Sequence, residues 1–259
     1  MKPYECVQAS RSAGRPTALS YIGALVEDFT EMHGDRRFGD DPAVVAGVGT
    51  LCGMPVTVIG IEKGTTTADK LYRNFGSANP EGYRKALRQI RLAEKFHRPI
   101  LCLVDTSGAY CGIGAEERGQ GQAIAENMYE LITVRTPSIS IVIGEGGSGG
   151  ALALAVTDEV WMLEDAYYSV ISPEGAASIL WKDAGKARDA AESLKLTAQD
   201  LYGFGIIERV LPCADVLGEN MEDLKTELFQ AFRRKIEMDP NALLEARYER
   251  FRKIGGETV

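Results

Sequence analysis

The feature that most constrains this chain is a repeated unit of short apolar strand, glycine-rich loop and helix. Residues 100–104 are a continuous apolar run, and residues 138–143 form a second predicted buried strand. Glycine-rich loops follow at 105–112 and at 144–150. Strands that alternate with helices predict an α/β layered fold with much parallel pairing. In such folds ligands usually bind outside the carboxyl ends of the strands, where both loops fall.

The remaining patterns agree with this fold class. Apolar residues at helical spacing predict a helix from Thr17 that stops near Gly34. Two flanks rich in Val, Ile and Thr surround a Gly-Pro spacer and predict a β-hairpin over 43–62. The other predicted elements are a helix from Pro80, a helix over 116–134, a short helix from Ala151, strands over 160–163 and 168–171, a helix over 173–181 and an edge strand over 206–211.

The ends of the chain differ from its middle. Residues 1–15 are polar and aperiodic, which predicts a flexible leader. We expect a single domain over 16–259 with a C-terminal helical segment at 219–259, where two charged helices are split at Asp239-Pro240. No segment approaches the roughly 20 apolar residues that span a membrane, and no signal-peptide pattern is present. We therefore expect a cytoplasmic protein with no membrane partner.

Charge and cysteine usage narrow the function classes. The formal net charge of -8 at pH 7 makes the chain a poor candidate for binding nucleic acid by charge alone. The five cysteines are an odd number and form no CxxC pair. We therefore expect no zinc ribbon and no metal on this chain, and free thiols in a reducing cytosol.

The loop at 144–150 is the strongest candidate for chemistry, because five of its seven residues are glycine. Glycine lets a backbone approach a ligand closely, and the N–H groups at a helix start favour negative charge. A P-loop requires a lysine where Ala151 stands, and a dinucleotide fingerprint matches only weakly. A tight turn that packs the helix on the sheet is the alternative, but we favour an oxyanion hole. No serine nucleophile motif is assigned to Gly147-Ser148-Gly149.

Other candidates are weaker. The loop at 105–112 either shapes the wall of the same pocket or simply starts the next helix. His33 and His97, the two histidines of the chain, are predicted to be structural residues at helix ends. A basic stretch between residues 62 and 91 can receive phosphates or an acidic partner, although a solvated helix face is the simpler interpretation. A reaction that needs oxyanion stabilisation but no obvious protein base fits what remains.

Several longer motifs occur in a fixed order between about residues 15 and 212. They are RNFG at 73–76, PEGYRKALR at 80–88, GAEERGQ at 114–120, IGEGGSGGA at 143–151, YSVISPEG at 168–175 and ASILWK at 177–182. In this order they resemble the carboxyltransferase α-subunit family of bacterial multi-subunit acetyl-CoA carboxylase. Such a set is far more specific than a single glycine-rich loop.

The resemblance implies a crotonase-like (ClpP/crotonase) α/β fold of repeated ββα units with C-terminal helices. It implies transfer of CO2 from carboxybiotin, held on biotin carboxyl carrier protein, to acetyl-CoA, which gives malonyl-CoA in the first committed step of fatty acid biosynthesis. The implied assembly is α2β2, active only with a β subunit that carries the zinc ribbon and most of the acetyl-CoA site. Biotin carboxylase is the remaining implied partner.

The resemblance also implies roles for individual residues. The backbone N–H groups of Gly149 and Gly150 are expected to bind the ureido oxygen of carboxybiotin, which gains negative charge as CO2 leaves. In the family scheme the biotin nitrogen helps take the acetyl proton, so no protein base is needed. The expected substrate-binding residues are Gly146, Gly147, Ala151, Gly108, Ala109 and Lys63.

The sequence departs from the family pattern near this site. Ser107 and Cys111 stand where the family loop usually has prolines, and Glu62 precedes Lys63 where many members have glutamine. Because proline fixes φ and stiffens a loop, we expect a looser loop here.

Two alternative functions stay open at this point. The first is a different CoA enzyme, such as a decarboxylase subunit or a hydratase, for which Glu116, Glu117 and Glu145 are the candidate carboxylates. The second is a non-catalytic docking subunit that binds the biotin carrier or its partner.

Overall fold

The structure is a computed structural model that describes residues 1–213, 218 and 221–256. The strands are β1 Glu27–Glu31, β2 Val44–Leu51, β3 Met54–Ile61, β4 Ile100–Thr106, β5 Ser138–Gly147, β6 Glu159–Leu163, β7 Tyr167–Ser169 and β8 Arg209–Leu211. The helices are α1 Pro3–Ser10, α2 Ala18–Leu25, α3 Thr67–Tyr72, α4 Pro80–Lys95, α5 Ile113–Glu117, α6 Gln120–Thr133, α7 Ser148–Leu152, α8 Pro173–Trp181, α9 Ala187–Leu194, α10 Ala198–Gly203, α11 Met221–Ile236 and α12 Pro240–Lys253.

The strands form one sheet in the order β1-β2-β3-β4-β5-β6-β8, and β7 pairs with the carboxyl end of β5. The pairs β1–β2 and β2–β3 are antiparallel, whereas every pair from β3 to β8 is parallel. All residues of β4 and β5 are buried, as expected for central parallel strands. The predicted α/β layered fold with much parallel pairing is therefore confirmed.

Several elements lie where the sequence predicts them. The hairpin of β2 and β3 turns at Cys52 and Gly53, whose φ angles of 49° and 76° suit a two-residue hairpin loop. Helix α4 begins at Pro80, and α8 spans Pro173–Trp181 as predicted. The Ser172 side chain caps α8 by accepting a hydrogen bond from the Gly175 N–H.

The helix predicted from Thr17 to Gly34 is wrong in its second half. Helix α2 ends at Leu25, and the following residues form β1, which pairs with β2. Glycines in β2 decide this, because a Cβ at Gly47 would collide with the Thr30 carbonyl oxygen. The helical spacing of apolar residues is thus overridden by close pairing with a glycine-bearing strand.

Other predicted boundaries also need correction. The helix predicted over 116–134 is two helices, α5 and α6, because Gly119 has a φ of 82° between them. The strand predicted over 168–171 is only Tyr167–Ser169, and the edge strand predicted over 206–211 is only Arg209–Leu211. The backbone of the glycine-rich segment is also more regular than a loop, since β5 runs to Gly147 and α7 starts at the next residue.

The predicted flexible leader at 1–15 is wrong, because it contains helix α1. Cys6 and Val7 are buried on α1, and Val7 belongs to an apolar cluster with Tyr167 and Leu196. Arg11, just beyond the helix, bonds to Glu145. These partners lie far away in sequence, so a search for local periodicity misses the helix.

The predicted C-terminal helices are present as α11 and α12, split at Asp239-Pro240 as expected. Residues 219–220 and 257–259 of the predicted segment lie outside the described residues. The Asp239 side chain caps α12 by accepting from the N–H groups of Asn241 and Ala242. No helix in the described part of the chain is long and apolar enough to cross a membrane.

Candidate functional site

The two glycine-rich segments meet at the carboxyl edge of the sheet. Strand β4 ends beside β5, where Thr106 pairs with Gly146. The Asp105 carboxylate accepts a hydrogen bond of 2.9 Å from the Glu145 N–H, which fixes the two strand ends together. This juxtaposition is the one predicted from the order of the elements.

Most of the glycines in the second segment are required by close packing. A Cβ at Gly144 would lie 2.5 Å from Oδ1 of Asp105, and one at Gly147 would collide with the Ser107 carbonyl. A Cβ at Gly150 would lie 2.5 Å from the Ala109 nitrogen. The tight-turn interpretation therefore accounts for these three positions, and it brings the residues after β4 directly against α7.

Gly149 differs from its neighbours. A Cβ at Gly149 would meet only Ile124, at 3.7 Å, which is ordinary van der Waals contact. Packing therefore does not require glycine at this position. Gly149 and Gly150 lie in the first turn of α7, where backbone N–H groups have no acceptor within the helix. Of the two residues, Gly149 is partly exposed and Gly150 is buried.

Ser148 occupies the sharp turn from β5 into α7. Its φ of 55° lies in the left-handed region, which is unusual for a residue with a side chain. Counted from Gly146 to Gly150, the segment satisfies G-x-S-x-G after all, so the sequence assignment was wrong on this motif. A serine nucleophile also needs a base within reach, and no His, Lys, Asp or Glu is among the described residues that line the adjoining cavity.

That cavity, called here the apolar cavity, has a volume of about 420 Å³. It lies between α7, β7 and the C-terminal helix α12. Its lining residues are Ser148, Gly149, Leu152, Ala155, Val160, Tyr168, Ser169, Val170, Leu194, Leu201, Ile206, Arg250, Phe251 and Ile254. The Arg250 guanidinium is already paired with Glu208 at 2.5 Å. Size and lining are typical of a site for a small organic ligand.

A second cavity of about 480 Å³, called here the ionic cavity, lies among the N-terminal residues and the ends of β3, β4 and β5. Lys63 lines it and contacts Asp105 at 2.8 Å and Glu145 at 2.5 Å. Arg11 and the Tyr167 hydroxyl donate to the other oxygen of Glu145, both at 2.8 Å. Burial favours a raised pKa for Glu145, but the charge of Lys63 and these hydrogen bonds hold that pKa below its ordinary value.

The predicted site residues thus fall into separate groups. Gly149 lines the apolar cavity, whereas Gly150 and Ala151 are buried behind it. The structure places Gly108 and Ala109 against Gly150. It does not place Lys63 with them, because Lys63 lines the ionic cavity in two ion pairs. The remaining predicted residues, Gly146 and Gly147, lie at the carboxyl end of β5.

The loop that lacks the family prolines is held by hydrogen bonds. Thr106 and Gly108 bond to each other through the Thr106 hydroxyl. The Gln120 side chain donates to the Tyr110 carbonyl at 2.8 Å, and the Tyr110 N–H donates to the Ala78 carbonyl. The looser loop expected from Ser107 and Cys111 stays a prediction.

Sequence reasoning missed the N-terminal contribution to the ionic cavity. Arg11 lies in the predicted leader, and its contacts with Glu145 and Glu174 are visible only in the structure. The basic stretch was also misinterpreted in part, because Lys85 is fully buried and bonds to Asp40 at 2.6 Å. Arg84 is likewise buried and paired with Asp35 at 2.8 Å. These two cations are paired inside the fold and do not belong to a solvated helix face.

The carboxylates proposed for a hydratase are not gathered at the apolar cavity, since neither Glu116, Glu117 nor Glu145 is among its described lining residues. Within the described ranges, no group of three or more His, Cys, Asp or Glu side chains is arranged to hold a metal ion. The chemistry that the apolar cavity offers is therefore carried by backbone N–H groups and hydroxyls.

Solved structures with similar folds include a transcarboxylase and a malonate decarboxylase. Transcarboxylase 12S superimposes with a TM-score of 0.73 at 19% identity, over 92% of this chain and 45% of that chain. A Pseudomonas malonate decarboxylase hetero-tetramer in complex with coenzyme A gives a TM-score of 0.69 at 19% identity, over 90% of this chain and 92% of that chain. These neighbours confirm the predicted crotonase-like fold.

Relatives found by sequence are much more similar to this chain in sequence than these solved structures are. The acetyl-coenzyme A carboxylase carboxyl transferase subunit alpha of Ruminiclostridium cellulolyticum is 58% identical, over 98% of each chain. A subunits beta/alpha protein of the same name from Natranaerobius thermophilus is 54% identical over 98% of this chain and 43% of its own length. The family described as acetyl co-enzyme A carboxylase carboxyltransferase-like matches residues 1–255. The chain belongs to the α-subunit family of acetyl-CoA carboxylase carboxyltransferases.

Proposed function

We propose that this chain forms the carboxybiotin half of a carboxyltransferase site that makes malonyl-CoA from acetyl-CoA. The observation that carries the proposal is the position of Gly149, whose N–H lies in the first turn of α7 and which lines the apolar cavity. Gly150 follows in the same turn, packed against Ala109. Two adjacent N–H groups aimed at one oxygen are the usual form of an oxyanion hole.

Carboxybiotin supplies the carboxyl group, and negative charge collects on its ureido oxygen as the bond between nitrogen and CO2 breaks. Donors fixed in advance at that oxygen accelerate transfer only if they bind it more tightly in the transition state than in the ground state. The residues packed against α7 hold the donors in place, since Ala109 and Tyr83 leave no space around Gly150. The acetyl proton goes to the biotin nitrogen in this scheme, so this chain needs no base.

The apolar cavity suits the head group of biotin. Its volume of about 420 Å³ is within the range of small-molecule sites, and side chains such as Leu152 and Phe251 offer apolar contact to a bicyclic ring. Arg250 is neutralised by Glu208, so the cavity has no unpaired cation from this arginine that would hold a phosphate. A neutral ring with a polar urea edge fits this surface better than a nucleotide.

The rest of the assembly is supplied by other chains in this proposal. A β subunit would hold the acetyl-CoA side and a zinc ribbon in an α2β2 complex, while biotin carboxyl carrier protein and biotin carboxylase would deliver carboxybiotin in the cytoplasm. The fusion of beta and alpha in the Natranaerobius relative supports contact between the two. Exposed apolar side chains on α8, such as Ile179 and Leu180, are typical of an interface.

The proposal is tested by the reverse half-reaction, in which malonyl-CoA is decarboxylated to acetyl-CoA with free biotin as acceptor. The chain alone, the candidate β subunit alone and their mixture are compared at equal concentration. We expect biotin-dependent turnover in the mixture only. A confirmed complex without turnover would instead favour the docking function or a different acyl-CoA.

A pair of alanine variants separates the two glycines. In Gly150→Ala the new Cβ, 2.5 Å from the Ala109 nitrogen, must displace backbone in the oxyanion region. We expect a loss of roughly 100-fold or more in kcat, the scale of a lost oxyanion donor. In Gly149→Ala the Cβ has ordinary contact at 3.7 Å, so folding is retained and kcat falls far less. Equal turnover in Gly150→Ala and wild-type complexes would contradict the oxyanion assignment.

A further inference from the structure

The polar side chains that line the apolar cavity are those of Ser148, Tyr168, Ser169 and Arg250, and the last two are bonded within the chain. The Ser169 hydroxyl donates to the Ile171 carbonyl at 2.9 Å, which shapes the turn after β7. The Arg250 guanidinium pairs with Glu208 and also donates to the Ile206 carbonyl at 2.8 Å. Neither group can turn toward a ligand without breaking these bonds.

Ser148 is the contrasting case. Its side chain is exposed and lines the apolar cavity directly beside Gly149. A hydroxyl can donate one hydrogen bond and accept two, so it can serve either edge of a urea or a carboxylate. In a mostly apolar cavity, a small number of such polar groups fixes the orientation of a bound ring, and Ser148 is the one next to Gly149.

The backbone at Ser148 strengthens the case. A φ of 55° is adopted at little cost by glycine but is sterically strained for a residue with a Cβ. Both neighbours, Gly147 and Gly149, are glycine, so a third glycine would suit this turn better for stability alone. Strained residues of this kind cluster at functional sites, which together with its position in the cavity makes Ser148 a candidate for a ligand contact.

We propose that Ser148 is a specificity-determining residue, whose hydroxyl hydrogen-bonds the ureido-carboxylate head group of the biotin substrate beside the N–H groups of Gly149 and Gly150. The inference rests on the proposed carboxyltransferase function and adds a side-chain contact to a site otherwise made of backbone. It involves no covalent step, because no base for a serine nucleophile is among the described residues of the cavity.

The test uses the complex of this chain with its β subunit and the reverse reaction with malonyl-CoA and free biotin. Ser148→Ala removes the hydroxyl and keeps the strained φ, whereas Ser148→Gly removes both. Loss of one hydrogen bond to a neutral group is worth roughly a 3- to 10-fold effect. We expect kcat/KM for biotin to fall by that factor in both variants, with the KM for malonyl-CoA unchanged.

Thermal unfolding separates a role of Ser148 in substrate binding from a purely structural role. Ser148→Gly should raise Tm relative to Ser148→Ala while both lose biotin efficiency. The matched control is Ser193→Ala, which removes a hydroxyl on α9 that is bonded to the Asp189 carbonyl. This variant should change neither Tm nor kcat/KM for biotin.

The possible results distinguish a failure of the Ser148 proposal from a failure of the carboxyltransferase proposal. Unchanged kcat/KM for biotin in both Ser148 variants of an active complex overturns the role of Ser148 and leaves the carboxyltransferase proposal standing. An equal loss toward biotin and malonyl-CoA also overturns it, because it indicates general disturbance of the site. A wild-type complex that does not use biotin at all overturns both proposals together.

Discussion

Arg247 links the C-terminal helix α12 to the rest of the fold through a buried ion pair with Asp158, and its replacement should lower the free energy of unfolding. Its side chain is 0% exposed and its Nε lies 2.8 Å from the Asp158 carboxylate, itself 3% exposed. The same guanidinium donates to the carbonyls of Leu131 and Val134 at 2.8 and 2.7 Å. Asp158 in turn accepts from the Ser138 N–H at the start of β5.

The variant Arg247→Met keeps the apolar stem and removes the charge and all the donors. Removing one partner of a buried ion pair typically costs about 3–5 kcal/mol, because the other charge is left unpaired. Buried carbonyls that lose their donors add to the same penalty, although such effects do not sum independently. We expect the free energy of unfolding to fall by about 3–5 kcal/mol, measured by urea denaturation.

The control is Arg252→Met on the same helix. Arg252 is exposed, so its replacement should change the free energy of unfolding by about 0.5 kcal/mol or less. Helix α12 also supplies Phe251 and Ile254 to the apolar cavity, so Arg247→Met should raise the KM for biotin in the complex. A destabilisation below about 1 kcal/mol would refute the view that this buried pair fastens α12.

Three further predictions follow from buried groups. Tyr83→Phe should leave the free energy of unfolding unchanged or raise it by about 1 kcal/mol in urea denaturation, because the Tyr83 hydroxyl is buried without a hydrogen-bond partner among the described residues. Burial favours a raised pKa for Asp35, but hydrogen bonds from backbone N–H groups and Arg84 lower it to about 2 from 3.8. Ionised Asp35 therefore contributes about 2 kcal/mol to the free energy of unfolding above roughly pH 4, and this contribution is lost as pH falls toward 2. Asp35→Asn should abolish that part of the pH dependence of unfolding. Lys63→Met should raise the pKa of Glu145, observed by carboxyl NMR, because its nearest cation is removed; an unchanged Glu145 pKa would contradict the assigned cause.

Local sequence patterns were sufficient to predict an element where its own burial pattern or its own turn determines the secondary structure. The hairpin of β2 and β3 was predictable because the turn and the Val-rich flanks agree, and β4 because an unbroken apolar run suits a strand buried on both sides. Helix α1 and strand β1 were not predictable in this way, because each is stabilised by residues that are distant in sequence. Val7 packs on Tyr167, and β1 pairs with a strand whose glycines accept its side chains.

The meeting of the two glycine-rich segments at one edge of the sheet was predictable from the sequence, but the surroundings of each glycine were not. Five glycines after a buried strand indicate a ligand-binding edge, but the sequence cannot separate glycines needed for packing from a glycine that faces a cavity. The separation comes from the neighbours: Ala109 stands against Gly150, whereas only Ile124 stands near Gly149. Lys63 is assigned to substrate from the resemblance, and the structure adds that it lies after β3 and pairs with Asp105 and Glu145.

The ionic cavity and the apolar cavity are linked by the strands that separate them. Glu145 belongs to the strand that continues into Ser148 and α7, and Asp105 belongs to the strand that leads to Ala109. Lys63 bridges both carboxylates, and Asp105 also accepts from the Glu145 N–H. A site that works through backbone N–H groups has no side chain to readjust, so its precision depends on the strands that carry it. The ion pairs of Lys63 therefore hold together the two segments that would form the proposed oxyanion hole, without needing to touch a substrate.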